Sequence, residues 1–265
     1  MESFTLVQLS DIHLTADGSL RPGVRPRDNL VAALRLVNEA RIAPDAYLLT
    51  GDLTDVGDAG CYEDLAALMR SQAEADGAEV VYVPGNHDER DAFRRHLLGV
   101  AGAGPINQTH WCRGLRIISL DSTIPGVDEG ALDNETLAYL AAELEARAPE
   151  GTVLVLHHPP ITSPIKTMSR LRLQNPDELR DLIAGSDVRV VLCGHNHHDA
   201  SGIVGGIPVW VSPALAYRAD LTSTEKFRGV PGSALSRIDL SPTDHTVVTV
   251  PVPHVRDVRG PRWRD

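Results

Sequence analysis

The stretch FTLVQLSDIH, residues 4–13, joins a short apolar run to two side chains that commonly bind metal ions. Phe4–Leu9 has the length and composition of a buried β-strand, and Asp11 and His13 follow it directly. A spacing of two residues places both side chains on the same side of an extended segment. We therefore expect Asp11 and His13 to hold the same ion.

The same pattern recurs at four later points in the chain. Apolar runs at 46–49, 80–83, 153–156 and 188–193 lead into four polar segments: Gly51-Asp52, Gly85-Asn86-His87-Asp88, His157-His158-Pro159-Pro160 and Gly194-His195-Asn196-His197. Ligand sites of open α/β sheets gather at the carboxyl ends of strands, so the five clusters can converge. Their carboxylate, amide and imidazole groups suit Mn²⁺, Fe or Zn²⁺ better than a metal that prefers thiolates. This inventory predicts two divalent metal ions that share a bridging ligand.

The individual segments predict different roles within such a site. Asp52 is the expected bridge, because it directly follows a strand and a glycine that leaves its carboxylate little obstructed. Asn86 offers a neutral oxygen ligand, whereas His87 can stay off the metals and act on the substrate as a hydrogen-bond donor or general acid. The two-residue spacing of His195 and His197 leaves open whether they serve one ion or two.

Each segment also has a purely structural interpretation. Asp-x-His occurs by chance in many chains, Gly-Asn-His-Asp is typical of a turn, and His-His-Pro-Pro can mark a strand that proline terminates. Chance does not readily account for five such segments at five predicted strand ends. Their combination favours a metal centre over a set of unrelated turns.

Strand-like runs alternate with amphipathic segments over the first two thirds of the chain, which predicts an α/β layered fold. We expect helices capped by Asp28 and Asp133 and a third that starts at Asn175-Pro176. After Asp199 the pattern predicts a hairpin over 203–211 that turns at Gly205-Gly206, and a strand pair at 234–240 and 246–252. One domain over 1–265 is expected, with a catalytic core over about 1–215, C-terminal strands over about 216–265 and a surface tail at 256–265.

Composition limits the classes of protein to which the chain can belong. Its formal net charge of −11 and pI near 5.4 disfavour binding to extended nucleic acid. Three cysteines without a CxxC pair indicate reduced thiols and a cytoplasmic location. We expect no membrane partner, because no apolar run reaches the length of a membrane span and the N-terminus does not look like a signal peptide.

Taken in order, the five motifs resemble the signature of the calcineurin-like metallophosphoesterase superfamily. The opening over 8–13, QLSDIH, resembles its class III cyclic nucleotide phosphodiesterase branch, to which glycerophosphodiesterases are closely related. The resemblance implies a four-layer α/β-β/α sandwich, here with a C-terminal β-rich extension, around a dinuclear centre. It further implies that Asp11, His13 and His197 hold one ion, that Asn86, His157 and His195 hold the other, and that Asp52 bridges them.

The same resemblance implies hydrolysis of a small phosphodiester by a hydroxide that bridges the two ions. His87 would assist the leaving group, and Asn86 would contact both metal and phosphate. A 3′,5′-cyclic nucleotide such as cAMP is the favoured substrate, and the alternative is a glycerophosphodiesterase or a broad-specificity phosphodiesterase. The alternative outside enzymology is a metal-binding scaffold for protein interactions. We also expect a homodimer, since relatives often self-associate.

Several residues near the motifs are left without a settled role. His157 is preferred to His158 as the ligand, because the family's histidine sits directly after a strand and two residues before a proline. His158 would then support a ligand, and His198 is an extra imidazole. Between the fourth and fifth motifs, Lys166, Arg170 and Arg172 form a basic loop that either attracts an anionic substrate or simply covers Ile165, Met168 and Leu171.

Overall fold

Two β-sheets stacked face to face form the centre of the molecule. The structure, a computed structural model, describes residues 2–21, 23–102 and 104–253. The first sheet has the strand order β13-β12-β1-β2-β3, and the second has the order β4-β5-β6-β7-β9-β8. Their strands are β1 Phe4–Leu9, β2 Ala46–Thr50, β3 Glu79–Val83, β4 Gln108–Cys112, β5 Leu115–Leu120, β6 Thr152–Leu156, β7 Val188–Cys193, β8 Ala200–Val204, β9 Ile207–Val211, β12 Ser233–Leu240 and β13 His245–Val252, with a separate short pair β10 Arg218–Ala219 and β11 Gly229–Val230.

Parallel pairing brings the motif-bearing strand ends together. In the first sheet β1, β2 and β3 run parallel, and in the second β5, β6, β7 and β9 run parallel. The strand before each of the five motifs is almost wholly buried except for β3. That explains their near-continuous apolar character, because a parallel strand is covered on both faces.

Each sheet has one face against the other sheet and one face against helices. Leu6, Leu48 and Val81 of the first sheet pack with Ile117 and Val153 of the second in one apolar cluster. The first sheet's outer face carries α1 Pro26–Glu39 and α2 Ala59–Asp76, and the second sheet's carries α4 Asn134–Glu143 and α6 Pro176–Ile183. Two short helices, α3 Arg90–Phe93 and α5 Lys166–Arg170, and a π-helical turn Arg94–Leu98 complete the described helical structure. The expected four-layer α/β-β/α sandwich is confirmed.

One of the three expected helix starts differs from the sequence prediction, and two of the three expected side-chain caps are not formed. The helix expected to be capped by Asp28 begins two residues earlier at Pro26, and Asp28 lies in its first turn, paired with Arg25 at 2.7 Å. Proline at the first helical position supplies a ready-made φ angle and so displaces the start. Asp133 does cap its helix by accepting from the Thr136 N–H at 2.8 Å. Asn175 precedes its helix as expected, but its side chain does not cap it.

Asn175 instead links the start of α6 to the loop before α4. Its carbonyl accepts from the Leu132 N–H at 3.0 Å, and its amide donates to the Leu132 carbonyl at 2.9 Å. These two hydrogen bonds satisfy both the N–H and the carbonyl of Leu132, whereas a helix cap would satisfy only an N–H group of α6. The Asn175 side chain therefore bonds to the distant Leu132 and not to the start of its own helix.

The C-terminal strands are part of the first sheet. The expected hairpin forms between β8 and β9 with Gly205 and Gly206 at its turn, and the expected strand pair forms as β12 and β13. β12 lies antiparallel to β1, so that Leu6 pairs with Ile238. The tail expected at 256–265 lies outside the described residues. Among the described residues, no helix combines the length and the apolarity that a membrane crossing requires.

All three cysteines are free thiols. Cys61 and Cys193 are buried, whereas Cys112 is half-buried. Burial raises the pKa of the Cys61 thiol to about 12, with Asp58 adding to the effect, and it raises the pKa of Cys193 further. The pKa of Cys112 is also raised by burial and by Asp45.

We expect these thiols to react slowly with a thiol-specific reagent such as DTNB. A raised pKa means that at pH 8 nearly all of each thiol is protonated, and the thiolate is the reactive form. In the native protein Cys112 should react first, and Cys193 only after unfolding. Absorbance at 412 nm, with and without guanidinium chloride, measures this. Three rapidly reacting thiols in the native protein would contradict it.

Candidate metal centre

Backbone hydrogen bonds join the motif-bearing strand ends of both sheets. The Asp11 N–H donates to the Gly51 carbonyl at 3.1 Å, and the Gly194 N–H donates to the His157 carbonyl at 3.0 Å. Gln8, buried in β1, donates from its amide to the Cys193 carbonyl at 2.9 Å and so spans the two sheets. Four of the five motifs are thereby fixed to one another without any contact between the ligand side chains.

The first group of ligand atoms combines two carboxylates and two imidazoles. His13 Nε2 lies 3.2 Å from His197 Nε2 and 3.6 Å from Asp52 Oδ2, and His197 Nε2 lies 3.5 Å from Asp11 Oδ1. All four side chains are buried. Donor atoms that share one ion at bonds of about 2.1 Å are separated by about 3.0 to 3.4 Å, which these distances approach.

The second group contains Asn86, His157 and His195. Asn86 Oδ1 lies 3.2 Å from His157 Nε2 and 3.0 Å from His195 Nδ1. The His157 Nε2 atom is also 3.4 Å from Asp52 Oδ2. Asp52 Oδ2 therefore faces both groups, and the seven ligands expected from the sequence lie together.

The hydrogen bonds of the rings test whether a cation fits between these atoms. His197 Nδ1 donates to the Tyr217 carbonyl at 2.9 Å, and His157 Nδ1 donates to the Thr50 carbonyl at 2.8 Å. His13 Nδ1 lies 3.1 Å from the Asp55 carboxylate. These contacts place a ring proton on Nδ1, so each Nε2 faces carboxylate and imidazole atoms with a lone pair that can take either a second proton or a metal ion. Such a crowd of electron pairs is repulsive without a positive charge, so the residues present fit a pair of divalent cations.

The shifted pKa values of these side chains reflect the same close packing of ionisable groups. The pKa of His157 is raised to about 9, because the Asp52 charge outweighs the burial that disfavours an imidazolium. Burial raises the pKa of Asp11 to about 6, although His157 opposes the shift. Burial also favours the neutral form of Asp52, but its pKa is held well below the usual range by the charge and hydrogen bond of His157.

Five of these ligands have an unusual backbone conformation. Asp11, His13, Asp52, His195 and His197 have φ angles between 50° and 71°. Two other non-glycine residues in the described chain share this left-handed region, which costs free energy for any residue with a Cβ atom. Backbone strain of this kind is concentrated at functional sites, where surrounding structure maintains it.

Glycines in three motifs allow the ligands to approach the backbone. A Cβ atom on Gly85 would overlap the Asp52 backbone nitrogen and carboxylate, and one on Gly51 would overlap the His157 ring. At Gly194 it would strike Ser10 Oγ. The glycines of these motifs therefore create the space that the ligands fill, in addition to making turns.

Known proteins are similar to this chain in sequence and in architecture. The family model for calcineurin-like phosphoesterases matches residues 4–199. The chain belongs to the calcineurin-like phosphoesterase family.

Two relatives and one solved structure give the closeness of the match. The "Probable cyclic nucleotide phosphodiesterase" of Rhodococcus erythropolis is 39% identical over 217 residues, which cover 82% of this chain and 72% of the relative. A cAMP/cGMP dual specificity phosphodiesterase of Mycobacterium tuberculosis is 39% identical over 221 residues, 83% of this chain and 70% of its own. The fold is shared with a dimetal phosphatase from Danio rerio, at a TM-score of 0.61 and 13% identity over 93% of this chain and 98% of that one. This phosphoesterase is therefore a phosphoester hydrolase.

His87 lies beside the ligand groups and is more exposed than they are. Its side chain is 41% exposed, and its Nδ1 donates to the Asp55 carbonyl at 2.9 Å. Asp55 Oδ1 also lies 3.6 Å from that nitrogen and 3.1 Å from His13 Nδ1. Asp55 thus connects a metal-ligand candidate to the general-acid candidate.

Asp55, Asp88 and Tyr217 have supporting contacts in the site that the sequence motifs did not predict. Asp88 fixes the two loops that carry Asp52 and Asn86, because its carboxylate accepts from the Leu53 and Gly85 N–H groups and from the Tyr62 hydroxyl at 2.8 to 3.1 Å. The spacing Asp52-x-x-Asp55 was an available signal. Tyr217 gave none, since it acts through its backbone carbonyl.

His158 and His198 form hydrogen bonds with groups outside the two sets of proposed metal ligands. His158 lies near His157 and His195, but its Nδ1 lies 2.8 Å from Ser122 Oγ and its Nε2 donates to the Asp128 carbonyl at 3.1 Å. Burial and the neighbouring His157 charge lower its pKa to about 3, so it is neutral. The His198 ring is buried against Ser163 at 2.8 Å.

The basic loop is engaged elsewhere. Lys166 pairs with Glu225 at 2.8 Å, and Arg172 donates to the Pro160 carbonyl at 3.0 Å. Ile165 at the start of α5 and Met168 within it are buried and pack in one cluster with Ala219. These contacts favour the interpretation of the loop as a cover over an apolar cluster.

We expect Gly85→Ala to abolish metal binding. Its methyl group would displace Asp52, on which both ligand groups depend. The metal content per chain, measured by mass spectrometry after Mn²⁺ loading, should fall well below that of the wild type. Gly60→Ala is the matched control, because Gly60 lies in the first turn of α2 and its added Cβ meets only Asp58 Oδ1 at 3.3 Å. Unchanged metal content in Gly85→Ala would contradict the packing argument.

Substitutions at His157 and His158 should have different effects. We expect His157→Ala to lose metal, because its Nε2 faces Asp52 and Asn86. We expect His158→Ala to retain metal but to lose about 1 to 3 kcal/mol of unfolding free energy, because a buried partner is left unpaired. Metal analysis and denaturant titration separate the two. Metal loss in the His158 variant alone would transfer the ligand role to that residue.

Proposed function

We propose that this phosphoesterase hydrolyses a 3′,5′-cyclic nucleotide, with cAMP as the first candidate, using two divalent metal ions. The observation that carries the proposal is Asp52 Oδ2, which faces both His13 and His157 at 3.4 to 3.6 Å. One carboxylate between two ligand groups is the arrangement that a dinuclear site requires. Similarity over more than 80% of this chain to two relatives named as cyclic nucleotide phosphodiesterases supports the same substrate class.

The proposed ligands follow the grouping of the side chains. Asp11, His13 and His197 would hold one ion, Asn86, His157 and His195 the other, and Asp52 both. Mn²⁺, Fe and Zn²⁺ all accept this set of nitrogen and oxygen ligands. When bound, the ions supply Lewis acidity toward the phosphate and a lowered pKa for a coordinated water.

The protein's own groups orient the substrate and move the proton. Hydrolysis adds the oxygen of water to phosphorus and breaks the bond to the ribose oxygen, which must leave with a proton. His87 holds its Nδ1 proton against the Asp55 carbonyl, so its Nε2 is available to carry a second proton toward the leaving oxygen. Asn86, next in sequence, would place the phosphate within reach.

The charge of the chain supports a small substrate. A net charge of −11 disfavours a polymer with a charged backbone. The full set of ligand candidates together with His87 also disfavours a scaffold that has lost its chemistry, because nothing would otherwise maintain so many buried polar groups. A homodimer and a cytoplasmic location remain predictions from the sequence.

We expect the Mn²⁺-loaded protein to hydrolyse cAMP with a higher kcat/KM than glycerophosphocholine. Asp52→Asn should lower kcat/KM by about 10³-fold or more, because it removes the shared anionic ligand. Asp64→Asn is the control, since Asp64 is a surface carboxylate paired with Arg27. Preference for glycerophosphocholine would identify a glycerophosphodiesterase, and no hydrolysis of either by metal-loaded protein would refute the proposal.

A further inference from the structure

A cleft of about 530 Å³ opens beside Asn86 and His87. One wall is formed by residues 86–91, and the other by Gly102 and residues 123–126. Its position is informative because His87 lines it, and the group that receives a proton from His87 must lie on that side. The volume is in the range of small-molecule sites.

The charged residues that line this cleft are held by protein partners. The Glu89 carboxylate accepts from the Asp91 and Ala92 N–H groups at 3.2 and 2.7 Å, and Asp91 pairs with Arg95 at 2.6 Å. The Arg90 guanidinium pairs with Asp121 at 2.8 Å. Asp88 accepts from the donors that fix the metal-site loops. These side chains are therefore fixed in position, although the backbone donors of Glu89 do not cancel its charge.

The second wall is fixed in position and apolar. Arg90 Nη2 donates to the Thr123 carbonyl at 2.9 Å, and Asp121 accepts from the Thr123 N–H at 2.8 Å. These bonds tie residues 121–123 to the start of α3. Ile124 and Pro125 follow directly, and both are accessible from the cleft. An apolar surface held by buried polar contacts is preorganised for a ring to pack against it.

The geometry points to a nucleoside subsite: the cleft receives the uncharged, ring-bearing nucleoside part of a cyclic nucleotide against Ile124 and Pro125. Hydrolysis breaks one of the two phosphate–ribose bonds, and the phosphate stays attached to the nucleoside through the other. This inference rests on the proposed function and specifies its substrate class. A quaternary ammonium group such as choline is recognised best by an aromatic cage, and the described lining contains no Phe, Tyr or Trp.

Inhibition by the nucleoside without its phosphate tests the subsite directly. Adenosine should inhibit cAMP hydrolysis by the Mn²⁺-loaded wild type competitively, and choline should not inhibit at the same concentration. Inhibition by choline as strong as that by adenosine, or no inhibition by adenosine, would overturn the inference.

A matched pair of substitutions locates the effect. Ile124→Asp places a charge on the apolar wall and should raise the KM for cAMP and the inhibition constant of adenosine about tenfold, with little change in kcat. Val127→Asp is the control, because Val127 is 38% exposed on the same loop and does not line the cleft. Equal effects of the two substitutions would overturn the inference.

Failure of the proposed function and failure of the subsite alone give different results. If the wild type hydrolyses no phosphodiester, the proposed function fails. If it hydrolyses cAMP, Asp52→Asn does not, and Ile124→Asp behaves like the wild type, only the subsite fails. Ile124→Val should retain wild-type constants, which separates the effect of the new charge from any change in the loop.

Discussion

The position of the Asp52 carboxylate is the constraint on which the rest of the structure depends. One oxygen faces His13 and His157 from the two ligand groups, and the other accepts from the His87 N–H at 2.9 Å. Gly85 packs directly against this carboxylate, and a Cβ atom at that position would overlap it. The loops after β2 and β3 are therefore determined together, and the proposed bridging ligand Asp52, amide ligand Asn86 and general acid His87 cannot be positioned independently.

This arrangement costs folding free energy, and apolar burial in the sandwich offsets that cost. Five ligands in the left-handed region cost on the order of 5 kcal/mol in total, comparable to the net stability of a domain. The buried polar atoms add a further cost unless each has a partner. Three apolar clusters, one between the sheets and one outside each sheet, give the burial that offsets it. Bound cations would stabilise the folded chain as well, because the ligand set exists only when all five motifs are together.

Sequence reasoning succeeded where a local pattern has a single physical interpretation. β1 and β7 agree with their apolar runs residue for residue, and the side chains proposed as ligands lie close together because strand ends in parallel sheets share an edge. It failed where a residue has a choice of partners. Asn175 is a residue type that commonly caps helices, but its side chain bonds to Leu132. The helix expected to start after Asp28 starts at Pro26 instead. Asp55 and Tyr217 act through contacts that only the folded chain creates.

Tyr217 also shows why the site cannot be separated from the segment that follows the motifs. Its carbonyl sets the ring orientation of His197, yet it lies beyond residues 4–199, which the family model matches. The neighbouring Leu215 and Ala216 donate to the Ser10 and Asp11 carbonyls at 2.9 and 3.0 Å, directly under the first motif. Ser233 at the start of β12 donates to the Leu215 carbonyl at 2.7 Å, and β12 then pairs with β1. The chain therefore closes on its own first strand, and the last segment fixes the backbone from which the first ligands project.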